Sequence, residues 1–291
     1  IDVDGDAAAD LIAMTPDARL WWLEHAGGST WDQHHVGSIS STSHDISSQG
    51  YRAAQIIAGG APELVISDSW AGIYTFEITS PPTDPWTRRV VTDVTSDEGV
   101  GIGDFDGDGD MDVAGMIENY AVEWYQNPGG SAAENWAGHR VADVTGVSWL
   151  DRCAVADLDG DGRSDIIVTE ENGAASGSET LWFSQPSDGT SGPWPSHQLA
   201  SQGSTNSMEV ADFDGDGDVD VVTGEHYGAL EVVVWENDGT GSFTPHTVDT
   251  GKESHYGVRP VDLDGDGDLD IVSIAYDTSQ LIHLWRNDAI Q

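Results

Sequence analysis

Short apolar runs alternate with small or polar residues along the whole chain, and each run stops at a cluster of Gly, Pro, Asn or Asp. Such runs predict β-strands joined by turns. No sustained 3.6-residue apolar period is present, so helix is expected to be minor. The runs recur in groups of four. The first alternates small and apolar residues into an acidic loop, as in Gly101-Ile-Gly-Asp-Phe105. The second leaves that loop, as in Asp165-Ile-Ile-Val-Thr169. The third is apolar with an aromatic near its end, as in Leu181-Trp-Phe183 and Val232-Val-Val-Trp235. The fourth carries an aromatic, then His or Arg three residues on, then an aliphatic, as in Trp136-Ala-Gly-His139-Arg-Val141.

The acidic loop sets the period. Asp-x-Asp-Gly-Asp-x-x-x-Asp begins at residues 2, 104, 157, 212 and 262. The first interval is twice the others, and a damaged copy fills it over Gln55 to Glu63. There Gln55, Ile57 and Gly59 stand where the first three carboxylates would be, and only Glu63 remains. A period near 50 residues points to propellers or arrays. Four-stranded units repeated radially make a β-propeller. The expected fold is therefore all-β, a propeller of six visible repeats and six or seven blades, with loops between strands one and two. The expected organisation is one propeller domain over 1–291, truncated at both ends, with a longer chain favoured over closure by partners.

Four carboxylates within nine residues repel unless a hard cation neutralises them, and Ca²⁺ takes six to eight oxygens at flexible geometry. Loop positions one, three, five and nine are expected to give carboxylates, and position seven a backbone carbonyl. The ligands predicted are Asp2, Asp4, Asp6, Ala8 and Asp10; Asp104, Asp106, Asp108, Asp110 and Asp112; Asp157, Asp159, Asp161, Arg163 and Asp165; Asp212, Asp214, Asp216, Asp218 and Asp220; and Asp262, Asp264, Asp266, Asp268 and Asp270. About five Ca²⁺ per chain are expected, and none in the damaged copy.

These loops and their flanks, such as Val155-Ala-Asp-Leu-Asp-Gly-Asp-Gly-Arg-Ser-Asp-Ile-Ile-Val168, resemble the FG-GAP or VCBS repeat family. That family includes integrin α-subunit propellers, a fungal lectin and several polysaccharide lyases. Trp124-Tyr-Gln-Asn-Pro-Gly129 with Trp136-x-x-His139 looks closer to the lyase-type and secreted bacterial members than to the others. The resemblance implies the fold and Ca²⁺. It does not fix an activity, because folds host many functions.

Composition narrows the partners. The formal charge is −42, from 52 acids against 10 bases, with Lys252 the one lysine. Loop carboxylates account for 20 of those acids, so 32 acids still face 10 bases. Such a surface suits high salt, where self-repulsion is screened, and a halophilic or marine source is expected. Nucleic acid is excluded as a partner by the absence of any basic stripe. No apolar stretch is long enough to span a membrane. Millimolar extracellular Ca²⁺ favours a secreted or cell-surface location. The single Cys153 falls at an inner-strand position held by Val100, Met208 or Val258 elsewhere, and reads as a buried structural thiol.

Recurring residues read as structure: His34, His139, His197 and His246, Arg89 in the damaged repeat, and Trp31, Trp86, Trp136 and Trp194 should all pack within the blades. Residues that break the repeat cluster where strand one starts and strand two ends, on the face away from the loops. Before strand one these are His44, Tyr51, Arg52, Asp97, Glu98, Trp149, Asp151, Arg152, Asn206, His255, Tyr256 and Arg259. After strand two they are Asp68, Trp70, Glu118, Tyr120, Glu170, Glu171, Glu225, His226, Tyr227, Tyr276 and Asp277. Convergent aromatics, His, Arg and carboxylates form a ligand cup, with Arg52, His255, Tyr256, Arg259, His226 and Trp149 as the binding candidates. The arginines either pair with carboxylates such as Glu209 or receive an anionic sugar.

Two functions remain open. One is an extracellular binding or adhesion module for a glycan or a surface protein, as part of a larger chain or assembly. The other is a polysaccharide lyase on a uronate-containing glycan. There Arg52 or Arg259 would neutralise the carboxylate, His255 or His226 would take the C5 proton, and Tyr256 or Tyr51 would protonate the leaving oxygen. Carboxylate pairs such as Glu98 and Glu225 discriminate nothing in so acidic a chain.

Overall fold

The computed structural model describes residues 1–39, 50–68, 71–94, 96–117, 120–130, 134–144, 146–147, 149–171, 177–277 and 281–288, without the side chains of residues 96 and 97. His44, Trp70 and Glu118, and the side chain of Asp97, lie outside what is described. The described elements are all strands, in six antiparallel sheets that form the blades of a β-propeller. Blade one holds β1 (Leu11–Met14), β2 (Arg19–His25) and β3 (Trp31–Ser38). Blade two holds β4 (Gly50–Ala54), β5 (Glu63–Asp68), β6 (Gly72–Glu77) and β7 (Thr87–Thr92). Blade three holds β8 (Ser96–Gly103), β9 (Asp112–Ile117), β10 (Ala121–Gln126) and β11 (Ala137–Asp143). Blade four holds β12 (Leu150–Ala156), β13 (Asp165–Glu170), β14 (Ser178–Phe183) and β15 (Ser196–Gln202). Blade five holds β16 (Thr205–Ala211), β17 (Asp220–Glu225), β18 (Val232–Asn237) and β19 (Phe243–Asp249). Blade six holds β20 (Val258–Val261), β21 (Asp270–Ile274) and β22 (Ile282–Trp285).

Strand order within each blade follows the chain, as hairpin connections require. The inner strands β4, β8, β12, β16 and β20 contact one another in succession around the axis. Successive side chains of a strand point to opposite faces of its sheet, so each blade presents an apolar face to both neighbours. In blade two, Leu64 and Ile66 pack with Leu20, Trp22 and Val36 of blade one. Val65, between them, packs with Val100 and Val113 of blade three. The core is thus divided into layers between consecutive blades, the others being centred on Phe105 and Cys153, on Trp182 and Met208, and on Phe213 and Val258. Cys153 is buried as expected, and burial pushes its thiol up to about 12, so it stays a neutral packing group.

Polar contacts lock the layers. The side-chain amide of Asn127 donates to the carbonyl of Ile56 in the preceding blade at 2.8 Å, and that of Asn237 donates to Leu158 at 2.9 Å. Gln185 does the same to Phe105. Backbone N–H groups of Trp86, Trp136 and Trp194 donate to Val36, Val91 and Val141 on the preceding outer strand. Trp31 departs from the packing expectation: it is exposed and rests on its own blade's His25. No outer strand precedes it among the described residues. The recurring His of strand four stacks on the strand-three Trp opposite, with centroids 4.6 Å apart for Trp22–His34 and 4.2 Å for Trp124–His139 and Trp182–His197. Arg89 instead pairs with Glu77, and His246 with Glu236.

Candidate functional site: acidic loops on one face, an aromatic cup on the other

The five Asp-rich loops share one backbone. In the loop from Asp104, the carboxylate of position one accepts N–H bonds from Gly107 at 2.8 Å and Gly109 at 3.1 Å. Asp106 accepts from Asp108, and Asp108 from Asp110. The same chain of bonds runs through the loops from Asp2, Asp212 and Asp262, and nearly so from Asp157. Positions four and six take positive φ, which glycine supplies everywhere except Ala7, at +70°. The winding turns the carboxylates of Asp2, Asp4 and Asp6, and of Asp104, Asp106 and Asp108, to within 4.8 Å of one another.

The ninth position has a double role. Asp112, Asp165 and Asp220 are buried. Each accepts one N–H from loop position two and one from the end of strand three: for Asp112 these come from Phe105 at 2.9 Å and Asn127 at 2.7 Å. Asp10 and Asp270 do likewise. Asp165 and Asp220 also stand within 4.8 Å of the carboxylates at positions one and three of their loops. Burial pushes Asp112 up to about 7 and Asp165 to about 6, against two N–H bonds that lower them, and neighbouring loop carboxylates push further. Clustered, partly desolvated carboxylates that share too little positive charge fit a divalent cation. In two loops an arginine leans on the cluster: Arg163 on Asp161, and Arg286 on Asp264 at 2.9 Å.

The damaged loop is closed differently. Glu63 accepts from Ile56 at 2.9 Å, as the ninth Asp accepts from loop position two elsewhere, and also from Ile57 of loop position three at 3.0 Å. The amide of Gln55 donates to the carbonyls of Ile57 and, at 3.2 Å, Gly59.

On the opposite face, two assemblies meet at the axis. In the first, Arg52 of β4 and Arg259 of β20 both close on Glu209 of β16, at 3.2 Å for Arg52. Arg259 also lies over the ring of Tyr51. The arginines therefore pair with Glu209, one of the two arrangements the sequence left open. One carboxylate facing two guanidiniums leaves this corner positive in a strongly negative chain. Arg152 of β12 pairs with Glu98 at 3.2 Å and Asp151 at 3.0 Å and donates to the backbone of His255 at 3.1 Å, tying blades three, four and six.

The second assembly joins blades five and six. His226 and His255 are buried with ring centroids 4.2 Å apart. Tyr227 packs tilted against His226 at 3.8 Å, and Tyr276 and Tyr256 flank His255 at 5.0 and 4.7 Å. Burial, helped by His226 and Arg152, holds His255 down to about 4. Glu253, which sequence reasoning missed, is buried beside both histidines and accepts the N–H groups of Tyr276 and Asp277 at 2.9 and 3.0 Å. As one Glu among many, it gives no signal in the sequence.

The structure brings His226, His255 and Tyr256 together, and Arg52 with Arg259. Trp149 stands apart at the blade-four rim, exposed, with φ +113°. Of the seven exposed aromatic side chains among the described residues, six lie on this face: Tyr51, Tyr120, Trp149, Tyr227, Tyr256 and Tyr276.

Comparison with known proteins gives one family match. A family model described as FG-GAP-like repeat matches residues 104–168, 157–223 and 212–273. No curated protein matches the chain.

Proposed function

The chain belongs to the FG-GAP-like repeat family, and from that premise we propose that it is a secreted, calcium-stabilised binding module whose face away from the acidic loops takes an extracellular glycan. The fold suits a binding or adhesion module. The observation that carries the ligand is the placing of exposed aromatics: six of seven lie on the face whose residues break the repeat. Exposed Tyr and Trp rings are rigid platforms of large area that lose little entropy on contact, and they suit the apolar faces of sugar rings. The positive corner at Arg52 and Arg259 favours a glycan that carries some carboxylate. In this reading Ca²⁺ holds the loops on the far face and takes no part in binding, and the millimolar Ca²⁺ outside cells keeps them filled.

A polysaccharide lyase is the second reading, favoured by the packing of His255 against Tyr256 at 4.7 Å. His255 is neutral at neutral pH and burial raises Tyr256, so base and acid would start in the required states. Binding to a panel of neutral and uronate-containing polysaccharides, read by calorimetry, tests the module. Absorbance of the unsaturated uronate product in the same mixtures tests the lyase. Absence of binding to every glycan would end both readings and leave a protein partner.

A further inference from the structure

We propose that His226, His255 and Glu253 form a binding site for a divalent transition metal such as Zn²⁺, distinct from the oxygen-only loops on the other face. One ligand atom from each of the three lies within 4.8 Å of the other two. All three side chains are more than nine-tenths buried. His226 Nε2 stands 3.5 Å from Glu253 Oε1 and 3.4 Å from Asp277 Oδ2. Those separations are long for strong hydrogen bonds. They are the spacing between neighbouring ligands on a tetrahedral ion with bonds of about 2.0–2.1 Å, which sets ligand atoms about 3.4 Å apart.

The surroundings match a metal's outer shell. Glu253 is oriented by the backbone N–H groups of Tyr276 and Asp277, as ligating carboxylates are. With Nε2 turned to the ion, His226 Nδ1 faces Glu171 Oε1 at 3.6 Å, a carboxylate–histidine–metal arrangement. The buried Nδ1 of His255 has no hydrogen-bond partner among the described residues, a cost that a ligand would remove. Two imidazoles select zinc-like ions over Ca²⁺. Asp277 is exposed, with Oδ2 3.4 Å from His226 Nε2 and accepting from the Tyr227 hydroxyl at 3.3 Å; it stands on the solvent side, where an ion would enter and the carboxylate would close on it.

The site stands independently of the glycan reading. It bears on the lyase, because a histidine bound to a metal through its free nitrogen cannot take a proton. The test uses the full chain, stripped of transition metals and returned to excess Ca²⁺, with Co²⁺ as a coloured probe and Zn²⁺ as competitor. The expected result is one equivalent of Co²⁺ with the intensified visible absorption of a low-coordinate site, displaced by Zn²⁺ and indifferent to Ca²⁺. His226→Gln and His255→Gln should each weaken uptake about a hundredfold or more, and Asp277→Asn, at an exposed position that spares the fold, about tenfold. His139→Ala should leave it unchanged. Wild-type protein that takes up no Co²⁺ in excess Ca²⁺ overturns the proposal, as does unaltered uptake by Asp277→Asn together with whichever histidine variant folds. Co²⁺ uptake without glycan binding would sustain this site and end the other reading.

Discussion

The side-chain amide of Gln55 donates to the carbonyl oxygen of Gly59 at 3.2 Å, and also to that of Ile57. A neutral hydrogen-bond donor thus gathers loop carbonyls in blade two, while the other five loops gather carboxylates. Loop two is expected to hold no metal. Gln55→Ala should cost about 1 kcal/mol, and by the same amount in Ca²⁺ and in chelator. Asp104→Ala should lose most of its effect once the metal is removed. Thermal melts of both variants in each condition check this, and a Gln55 effect that vanishes in chelator would contradict it.

On the proposed reading, in which the loops hold Ca²⁺, the buried ninth carboxylates make its stabilising effect depend on pH. Asp112 is pushed up to about 7 and Asp165 to about 6, above the ordinary Asp value of about 3.9 in the unfolded chain. Between these limits the metal-free fold binds more protons than the unfolded chain, so its stability falls as pH rises through the window. A bound cation supplies the missing charge and removes that slope. The rise in melting temperature on adding Ca²⁺ to desalted protein should therefore be larger at about pH 7.5 than at about pH 5.5. His255, with its pKa held down to about 4, lowers stability on acidification in both states and cancels in the difference. An equal or larger increment at the lower pH would sink this account.

Loop and latch are one mechanical unit. Asp220 accepts the backbone N–H of Asn237 at 2.8 Å, and the Asn237 side chain donates to Leu158 of blade four and to Val219 at 2.9 and 3.1 Å. Asn237→Ala leaves two carbonyls without this donor, each in or beside the core. The expected loss is about 1–3 kcal/mol, read as a lower midpoint in denaturant at saturating Ca²⁺. Wild-type stability in this variant would show that the latch contributes nothing net.

What the sequence revealed follows from what repeats. The loop spacing, the grouping of strands in fours, and the strand-four His packed within the blade all recur, so each copy supports the reading of the others. The latch recurs too, at Asn127, Gln185 and Asn237. It stays hidden because Asn and Gln after a strand also read as ordinary turn residues. The cup does not recur. His226 and His255 were visible as departures from the pattern, but their meeting with Glu253 depends on how blades five and six turn against each other. The pairing of Arg52 and Arg259 with one Glu209 likewise depends on convergence at the axis, which spacing along the chain does not encode.

Acid excess outside the loops sets the response to salt. With 32 acids beyond the 20 carboxylates at loop positions one, three, five and nine, against 10 bases, neighbouring surface carboxylates repel across the Debye length of about 8 Å at ~0.15 M salt, and far less at ~1 M, where it is about 3 Å. The melting temperature at saturating Ca²⁺ should rise between those conditions. A flat response would remove the case for a high-salt habitat.

The proposed ligand face is tested by comparing residues with different structural roles. Arg259 shares Glu209 with Arg52 and covers Tyr51, and Tyr256 is an exposed ring beside His255. His139 stacks on Trp124 inside blade three. Arg259→Ala should weaken an anionic glycan more than a neutral one, because it removes a charge from the one positive corner of the face. Tyr256→Ala should weaken both, because it removes stacking area; the loss should be about tenfold if the ring supplies about 1.4 kcal/mol. His139→Ala should lower stability and leave affinity unchanged. If His139→Ala abolishes binding in a protein that still folds, while the other two bind as wild type, the ligand sits between blades and the aromatic face is only a solvated rim.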